Sequence, residues 1–342
     1  MNINEIADKA NVSRATVSRV INNLPGVREE TRRRVIAVIH EENYIPSAAA
    51  RSLVSKTSNI LGLLIYNITQ PYWGGIATGI EAGVAQTNYG IFIMNSKLHE
   101  SSWDYQKAYK QKLRNLVGQG VDGIIIALLN DLDSEDIEFL QSINMPFTVL
   151  QNNLRYPSVV SVNIDNAKAA YDATNHLIRL GHRSIVHVTG PMISGLSQKR
   201  VEGFTQAMGS AGLLVSDQSI MSGSFKFADG YKAMKQILER RERPTAVLFG
   251  SDLGAYGGIA AARDMNVRVP EDISVMGFDG LAQEIEYAAL LPDLTTMCQP
   301  VEELGRVAVG QLIDLINGKK PEKNLTYLQM TLLEGQTCRR LD

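Results

Sequence analysis

The sequence predicts a small all-α head followed by an α/β core of two doubly wound lobes. Three observations carry this. The first 45 residues place apolar side chains at helical spacing, and from residue 59 onward short β-branched runs alternate with helical segments. The charge divides at the same place: residues 1–60 hold nine Lys and Arg against six Asp and Glu, whereas the rest holds 25 against 30. A chain of 342 residues is also too long for one ordinary domain and suits a small head plus one large or two medium domains.

In the head, Ile3, Ile6, Ala7 and Ala10 fall at i, i+3, i+4, i+7, and Val17, Val20 and Ile21 repeat the start of that pattern. Two short amphipathic helices follow. Between them Asn11 suits the left-handed conformation that ends one helix, Val12 can plug the corner, and Ser13 can cap the next. This is a helix-turn-helix whose second helix presents Arg14, Ala15, Thr16, Ser18 and Arg19 outward. Guanidinium groups can grip guanine O6 and N7 bidentately, hydroxyls suit phosphate oxygens, and a small Ala permits close approach to bases. The alternative is a solvated helical hairpin, against which the basic head on an acidic body argues.

After the turn Asn22-Asn23-Leu24-Pro25-Gly26, helical periodicity returns over Glu29 to Glu42 with Val35, Ile36, Val38 and Ile39 inward, completing a three-helix unit that ends near Tyr44. Arg32, Arg33 and Arg34 read chiefly as a solvated face. Tyr44-Ile45-Pro46-Ser47 is extended, because residues before proline avoid the helical region, and Ala48 to Val54 is helical but too short to be stable alone.

The core opens with short strands at Ile60 to Tyr66, Gly90 to Met94, Asp122 to Leu128 and Pro146 to Leu150, between helices at Pro71 to Thr87, Ser102 to Val117 and Ser134 to Ser142. A second series runs through Val159 to Ile164, Ser184 to Val188, Ser219 to Phe225, Ala246 to Phe249 and Ile273 to Phe278. Leu294 to Gln299, the amphipathic Val301 to Ile316, and Leu325 to Leu333 close the chain. Open α/β sheets bind ligands beyond the carboxyl ends of their strands. Those positions hold Tyr66, Tyr72 and Trp73, which either stack on a ring or merely begin a helix, and Asp165, Arg200, Asp252 and Asp279, which either bind vicinal hydroxyls or act as caps and ion pairs.

No phosphate loop, H-E-x-x-H or G-x-S-x-G occurs, and the histidines at 40, 99, 176, 182 and 187 have no triad or metal spacing. An enzyme is therefore not expected, nor a cofactor. Cys298 and Cys338 lack ligand-spaced partners, so no metal site or disulfide is expected. The N-terminus has no apolar signal core and no run of 18 apolar residues occurs, so the expected location is cytoplasmic, without membrane contact. A net charge of −2 gives no global affinity for polyanions, so a nucleic-acid contact must come from a local patch.

The run I-A-D-K-A-N-V-S-R-A-T-V-S-R-V-I-N, then G-V-R-E-E-T-R-R-R-V and N-Y-I-P-S-A-A-A-R-S-L, resembles the head of the lactose repressor and galactose repressor family of bacterial transcription regulators, and the resemblance runs nearly to the last residue. It implies a helix-turn-helix domain over 1–45, a hinge helix and linker over 46–58, and a periplasmic-binding-protein-like core over 59–342 that binds effector and dimerises. The N-lobe would comprise about 59–157 and 295–320, the C-lobe about 158–294 and 321–342, with three crossovers beside a cleft. It also implies that Ser13, Arg14, Ala15, Thr16, Ser18, Arg19, Asn22 and Tyr44 contact operator DNA. In the hinge, Leu53 would wedge into the minor groove with Ala50 facing the partner hinge.

In the cleft, Arg200 and Asp279 match effector-binding positions, Phe225 a stacking aromatic, and Gln151, Ser194 and Ser251 secondary polar positions, beside Tyr66, Tyr72, Trp73 and Asp252. Ser251 stands where relatives usually carry Asn. The implied function is a homodimeric repressor of a carbohydrate-utilisation operon, released from a pseudopalindromic operator by a sugar or sugar derivative. Two alternatives within the family are a corepressor-responsive regulator and one that answers to a phosphocarrier protein. No leucine heptad follows Leu333, so pairing of dimers into tetramers through a coiled coil is not expected.

Overall fold

The computed structural model describes residues 2–21, 24–44, 57–96, 105–129, 131–151, 156, 158–281 and 293–341. They divide into two compact units, Met1–Asn59 and Ile60–Asp342.

The first unit contains α1 (Ile3–Lys9), α2 (Arg14–Ile21) and α3 (Glu29–Glu41). Asn2 caps α1 through a reciprocal box with Glu5. As the sequence predicts, Asn11 adopts φ +51°, and Ser13 Oγ accepts from Thr16 N at 3.1 Å. Ile6, Ala7, Ala10, Val17, Val20 and Val35 form the buried centre. Ile36 differs from expectation: it is 40% exposed, because one helical step from the inward Val35 turns it about 100° away. Arg32 donates to Leu24 O, Arg33 lies near Glu29, and Arg34 is exposed.

The second unit contains two six-stranded sheets. Its elements in chain order are β1 (Ile60–Ile65), α4 (Pro71–Val84), β2 (Gly90–Asn95), α5 (Tyr105–Gly118), β3 (Gly123–Ala127), α6 (Ser134–Ser142), β4 (Phe147–Leu150) and β5 (Val160–Ile164). Then come α7 (Asn166–Arg179), β6 (Ile185–Val188), α8 (Gly195–Ser210), β7 (Ile220–Met221), α9 (Phe227–Leu238), β8 (Ala246–Phe249), α10 (Asp252–Asp264) and β9 (Ser274–Asp279). The series ends with β10 (Thr295–Cys298), α11 (Val301–Ile316), β11 (Leu325–Leu328) and β12 (Thr331–Leu333).

The N-lobe sheet has the order β11-β5-β4-β3-β1-β2 and the C-lobe sheet β12-β10-β9-β8-β6-β7. Every pairing is parallel except β10 with β12, so the central strands are apolar runs buried on both faces.

Sheet membership corrects the expected lobe boundaries. β5 pairs with β4 and belongs to the N-lobe, while β10 pairs with β9 and belongs to the C-lobe. The stretch read as one strand, Leu325 to Leu333, splits at residues 329–330, with β11 joining the N-lobe and β12 the C-lobe. Three crossovers remain, between β5 and α7, between β10 and α11, and between β11 and β12. Periodicity could not place them, because a strand looks the same whichever sheet it enters. The expected strand Ser219 to Phe225 shrinks to β7, an edge strand that pairs only through Ile220 and Met221, so Phe225 lies in the following loop.

After β10, α11 returns to the N-lobe and packs on α4, with Val301, Leu304, Ala308, Val309 and Leu312 joining Leu61, Trp73, Ile76 and Ile80 in one core. Backbone approach makes this packing possible. A Cβ on Gly79 would lie 2.0 Å from Glu302 O, so only glycine fits there.

Candidate functional site

In the head, the tight turn at Asn11 and the Ser13 cap fix the start of α2, and burial of Val17 and Val20 fixes its rotation. Ser13, Arg14, Ala15 and Arg19 are then exposed, and Thr16 and Ser18 are half-buried. Thr16 Oγ1 is 2.9 Å from Ser13 Oγ, and Arg19 Nη1 donates to Pro25 O at 3.3 Å. Tyr44 packs partly against the head's core. Asn22, Ala50 and Leu53 lie outside the described residues.

The core has a cavity between the carboxyl ends of its two sheets, and its volume of about 480 Å³ includes space open to solvent. From the N-lobe come Gln70, Pro71, Tyr72 and Trp73 at the start of α4, and Leu129 after β3. The C-lobe supplies Leu196 and Arg200 on α8, Phe225, Leu253 on α10, Asp279 at the end of β9, and Leu281. Trp73 is only 4% exposed, with Tyr72 edge-on at 5.0 Å and Tyr66 tilted at 5.6 Å between ring centroids. Trp73 therefore both packs in the lobe and faces the cavity, whereas Tyr66 supports it from behind.

Arg200 is 2% exposed and is held through two of its nitrogens. Its Nε donates to Asn166 Oδ1 at 2.9 Å and its Nη1 to Gly250 O at 2.6 Å. The guanidinium lies 3.9 Å over the Phe278 ring and 5.6 Å from that of Phe225, and Nη1 is 4.0 Å from Asp279 Oδ1. Burial raises the Asp279 carboxyl well above the ordinary carboxylate range; Arg200 opposes that rise and Asp252 adds to it. Gln299 Nε2 donates to Asp279 Oδ1 at 2.6 Å.

Gln151 joins the lobes beneath the cavity. Its Nε2 donates to Tyr72 Oη at 3.0 Å and to Gln299 Oε1 at 3.3 Å, and its Oε1 accepts from Ile164 N at 3.2 Å and Asn166 Nδ2 at 3.4 Å. The Tyr72 hydroxyl is pushed upward in pKa by its burial, so it remains a neutral donor at physiological pH.

Several expected ligand contacts do other work. Asp252 is fully buried and does not line the cavity; its Oδ1 accepts from Thr296 Oγ1 at 2.6 Å and its Oδ2 from Leu281 N at 2.7 Å. It ties down the segment that carries Asp279, and burial lifts its carboxyl to about 6. Ser251 caps α10, accepting from Gly254 N at 3.1 Å. Ser194 begins α8 with a fully buried hydroxyl and is not in the cavity wall. Asp165 caps α7 through Lys168 N. The residues missed by sequence reading are mostly leucines, at 129, 196, 253 and 281, which no polar pattern marks, and Asn166 and Gln299, which act through Arg200, Gln151 and Asp279.

Residues 58–334 match the family described as periplasmic binding proteins and sugar binding domain of LacI family, and residues 2–47 match bacterial regulatory proteins of the lacI family. The chain belongs to the LacI family. It is 35% identical over 337 residues to the HTH-type transcriptional repressor PurR of Proteus mirabilis, covering 98% of this chain and 96% of that one. Catabolite control protein A of Priestia megaterium is 33% identical over 327 residues, covering 95% and 96%. Among solved structures, the lac repressor dimer bound to operator and the anti-inducer ONPF superposes with a TM-score of 0.88 at 27% identity, covering 99% of each chain. The complex of the regulator CelR with cellobiose gives 0.72 at 26% identity, covering 98% and 99%. This LacI-family chain is a DNA-binding transcriptional regulator, and its family is non-enzymatic. No described helix is long and apolar enough to cross a membrane.

Proposed function

We propose that the chain is a homodimeric, cytoplasmic repressor of carbohydrate-utilisation genes, released from a pseudopalindromic operator when a sugar-like effector enters the interlobe cavity. The observation that carries this reading is the pairing of buried Arg200 and Asp279 with the aromatic walls Tyr72, Trp73 and Phe225. A guanidinium and a carboxyl offer fixed donors and acceptors to neighbouring hydroxyls, and the rings take the apolar face of a sugar. At the other end, Arg14, Ala15 and Arg19 read base edges in each half-site, while Ser13, Thr16 and Ser18 hold phosphates. Asn22 and Tyr44 extend this contact. Leu53 wedges into the minor groove beside Ala50, a role that rests on the family resemblance.

The cavity draws on both lobes, so a ligand there favours one relative position of the lobes over another. Passing that bias through residues 46–58 to the head requires only about 1–3 kcal/mol of coupling to change operator affinity about 5- to 150-fold. A corepressor would use the same cavity with the opposite sign, and a phosphocarrier-responsive regulator would use a protein surface instead.

A thermal-shift screen of the full chain against mono- and disaccharides, sugar phosphates, nucleosides and purines tests the reading, because a ligand selective for the folded state raises Tm. A saccharide that stabilises the wild type, loses its effect in Phe225→Ala and weakens operator binding supports the proposal. Stabilisation by a nucleoside or purine alone overturns the ligand class, and strengthened operator binding overturns the sign. No hit at all points to a protein partner.

A further inference from the structure

A second cavity opens between the lobes on the β5–β11 side, and its volume of about 540 Å³ includes space open to solvent. Its wall is of a different kind from the first. Where the first is mostly leucine and aromatic rings, this one presents Gln151, Asn163, Asp165, Asn166, Lys199 and Tyr327 beside three apolar residues, of which Leu196 is shared with the first. We propose that it is a second ligand site, taking a neutral polyhydroxylated ring of monosaccharide size.

Charge argues for a neutral ligand. Asp165 and Lys199 are the charged residues of the wall, one of each sign, so the site as a whole attracts neither anions nor cations. Both remain available for exchange. Asp165 uses Oδ1 on the backbone of Lys168, and Lys199 pairs with Glu202 at 2.6 Å across a partly exposed helix face. Such surface pairs contribute little and are readily traded for a ligand hydroxyl. Tyr327, on edge strand β11, is 53% exposed and offers an aromatic surface of the sort that sugar C–H faces cover.

The position couples it to the first cavity. The partition between them is a hydrogen-bonded chain from Arg200 through Asn166 and Gln151 to Tyr72, with steps of 2.9, 3.4 and 3.0 Å. Its two ends line the first cavity, and its two middle members line the second. A ligand that draws on Asn166 or Gln151 changes how Arg200 and Tyr72 are held. The second cavity also includes Tyr327 and Asn163 from the N-lobe sheet and Lys199 from the C-lobe helix α8, so its occupant spans both lobes.

The test is isothermal titration of the full chain with D-glucose, D-galactose, D-ribose and myo-inositol, repeated on Tyr327→Ala, Lys199→Ala, Tyr327→Phe and Phe225→Ala. At least one probe binds the wild type, weakens about tenfold or more in Tyr327→Ala and Lys199→Ala, and is unchanged in Tyr327→Phe and Phe225→Ala. Circular dichroism melts of the variants check that the fold is kept, and Lys199→Ala, on an exposed helix face, stands in should Tyr327→Ala lose it. Binding by none of the four probes overturns the inference. Binding that falls in Phe225→Ala but not in Tyr327→Ala or Lys199→Ala also overturns it, because the sugar is then in the first cavity. The Phe225→Ala arm reports on the proposed effector site by itself, so the two readings fail separately.

Discussion

Replacing Arg200 by Met asks whether the interlobe network is held by charge or only by packing. Met fills much of the same space, so the change creates little cavity. What it removes is the donation to Asn166 Oδ1 and Gly250 O and the positive charge 4.0 Å from Asp279. Hydrogen bonds from a charged donor contribute about 1.5–3 kcal/mol each, but leaving a guanidinium in water is itself favourable, so the two effects partly cancel. At pH 7 Asp279 is mostly protonated, so no buried charge is left unpaired; the loss comes from the two acceptors deprived of a donor, at about 1–3 kcal/mol each, and the partial cancellation puts it at about 3 kcal/mol. For a core of this size that lowers Tm by about 5 °C.

The dependence on pH is the sharper signature. Burial lifts the folded pKa of Asp279 to about 8, against about 3.9 for an unfolded Asp. The folded state therefore holds a proton that the unfolded state has released. Stability from this group is complete below about pH 4 and declines as pH rises to about 8. Arg200 restrains that pKa, so in Arg200→Met it rises further and the decline continues above pH 8. Urea unfolding at half-unit steps from pH 5 to pH 9.5 measures the slope, and Arg200→Met/Asp279→Asn should lack the part above about pH 7, with Asp252 still contributing below it. A variant that unfolds like the wild type at pH 7, with no added slope above pH 8, refutes the charge coupling.

Other expectations follow from single contacts. Arg19→Ala should weaken operator binding much more than binding to random DNA, measured by anisotropy at one salt concentration; equal losses would assign Arg19 to phosphates. Gly79→Ala forces a methyl to within 2.0 Å of Glu302 O, and should cost about 1–3 kcal/mol of stability by urea titration through separation of α4 from α11. Ser251→Ala removes the cap of α10 and should cost about 1 kcal/mol while leaving ligand affinity unchanged, since Ser251 is outside the cavity wall. A lost ligand affinity there would restore Ser251 as a contact.

The head was legible in the sequence because its signals are local. Asn11, Ser13 and the apolar positions lie within a few residues of the partners that define their roles, so turn chemistry and helical period suffice. The cavity was half legible. Arg200, Asp279, Tyr72 and Trp73 could be placed at or after strand ends, where α/β sheets bind ligands, while Phe225 came only from the family resemblance, and the five do meet. What could not be read was which acids turn inward. Asp252 and Asp279 both follow a strand of the same sheet, yet Thr296 and Leu281 N, distant in sequence, take Asp252 into the core. Lobe membership failed for the same reason. β5 and β10 are ordinary apolar runs, and only their pairing partners reveal which sheet they complete.

Gln151 concentrates the long-range part of this design in one residue, and its dissection separates strain from bonding. It adopts φ +53°, a region that costs a residue with a Cβ about 1–2 kcal/mol, and it holds Tyr72, Gln299 and Asn166 together from that position. Gln151→Ala removes the hydrogen bonds and keeps the strain, whereas Gln151→Gly removes both. Each variant should be less stable than the wild type, because several hydrogen bonds of about 1 kcal/mol each outweigh the relief. The glycine variant should exceed the alanine variant by about 1 kcal/mol. Ligand affinity should fall equally in the two, since Tyr72 and Asn166 lose the same partner in both. Equal stabilities would show that the backbone at 151 carries no strain. Unequal affinities would show instead that the backbone, and not the amide, sets the position of Tyr72 against Arg200.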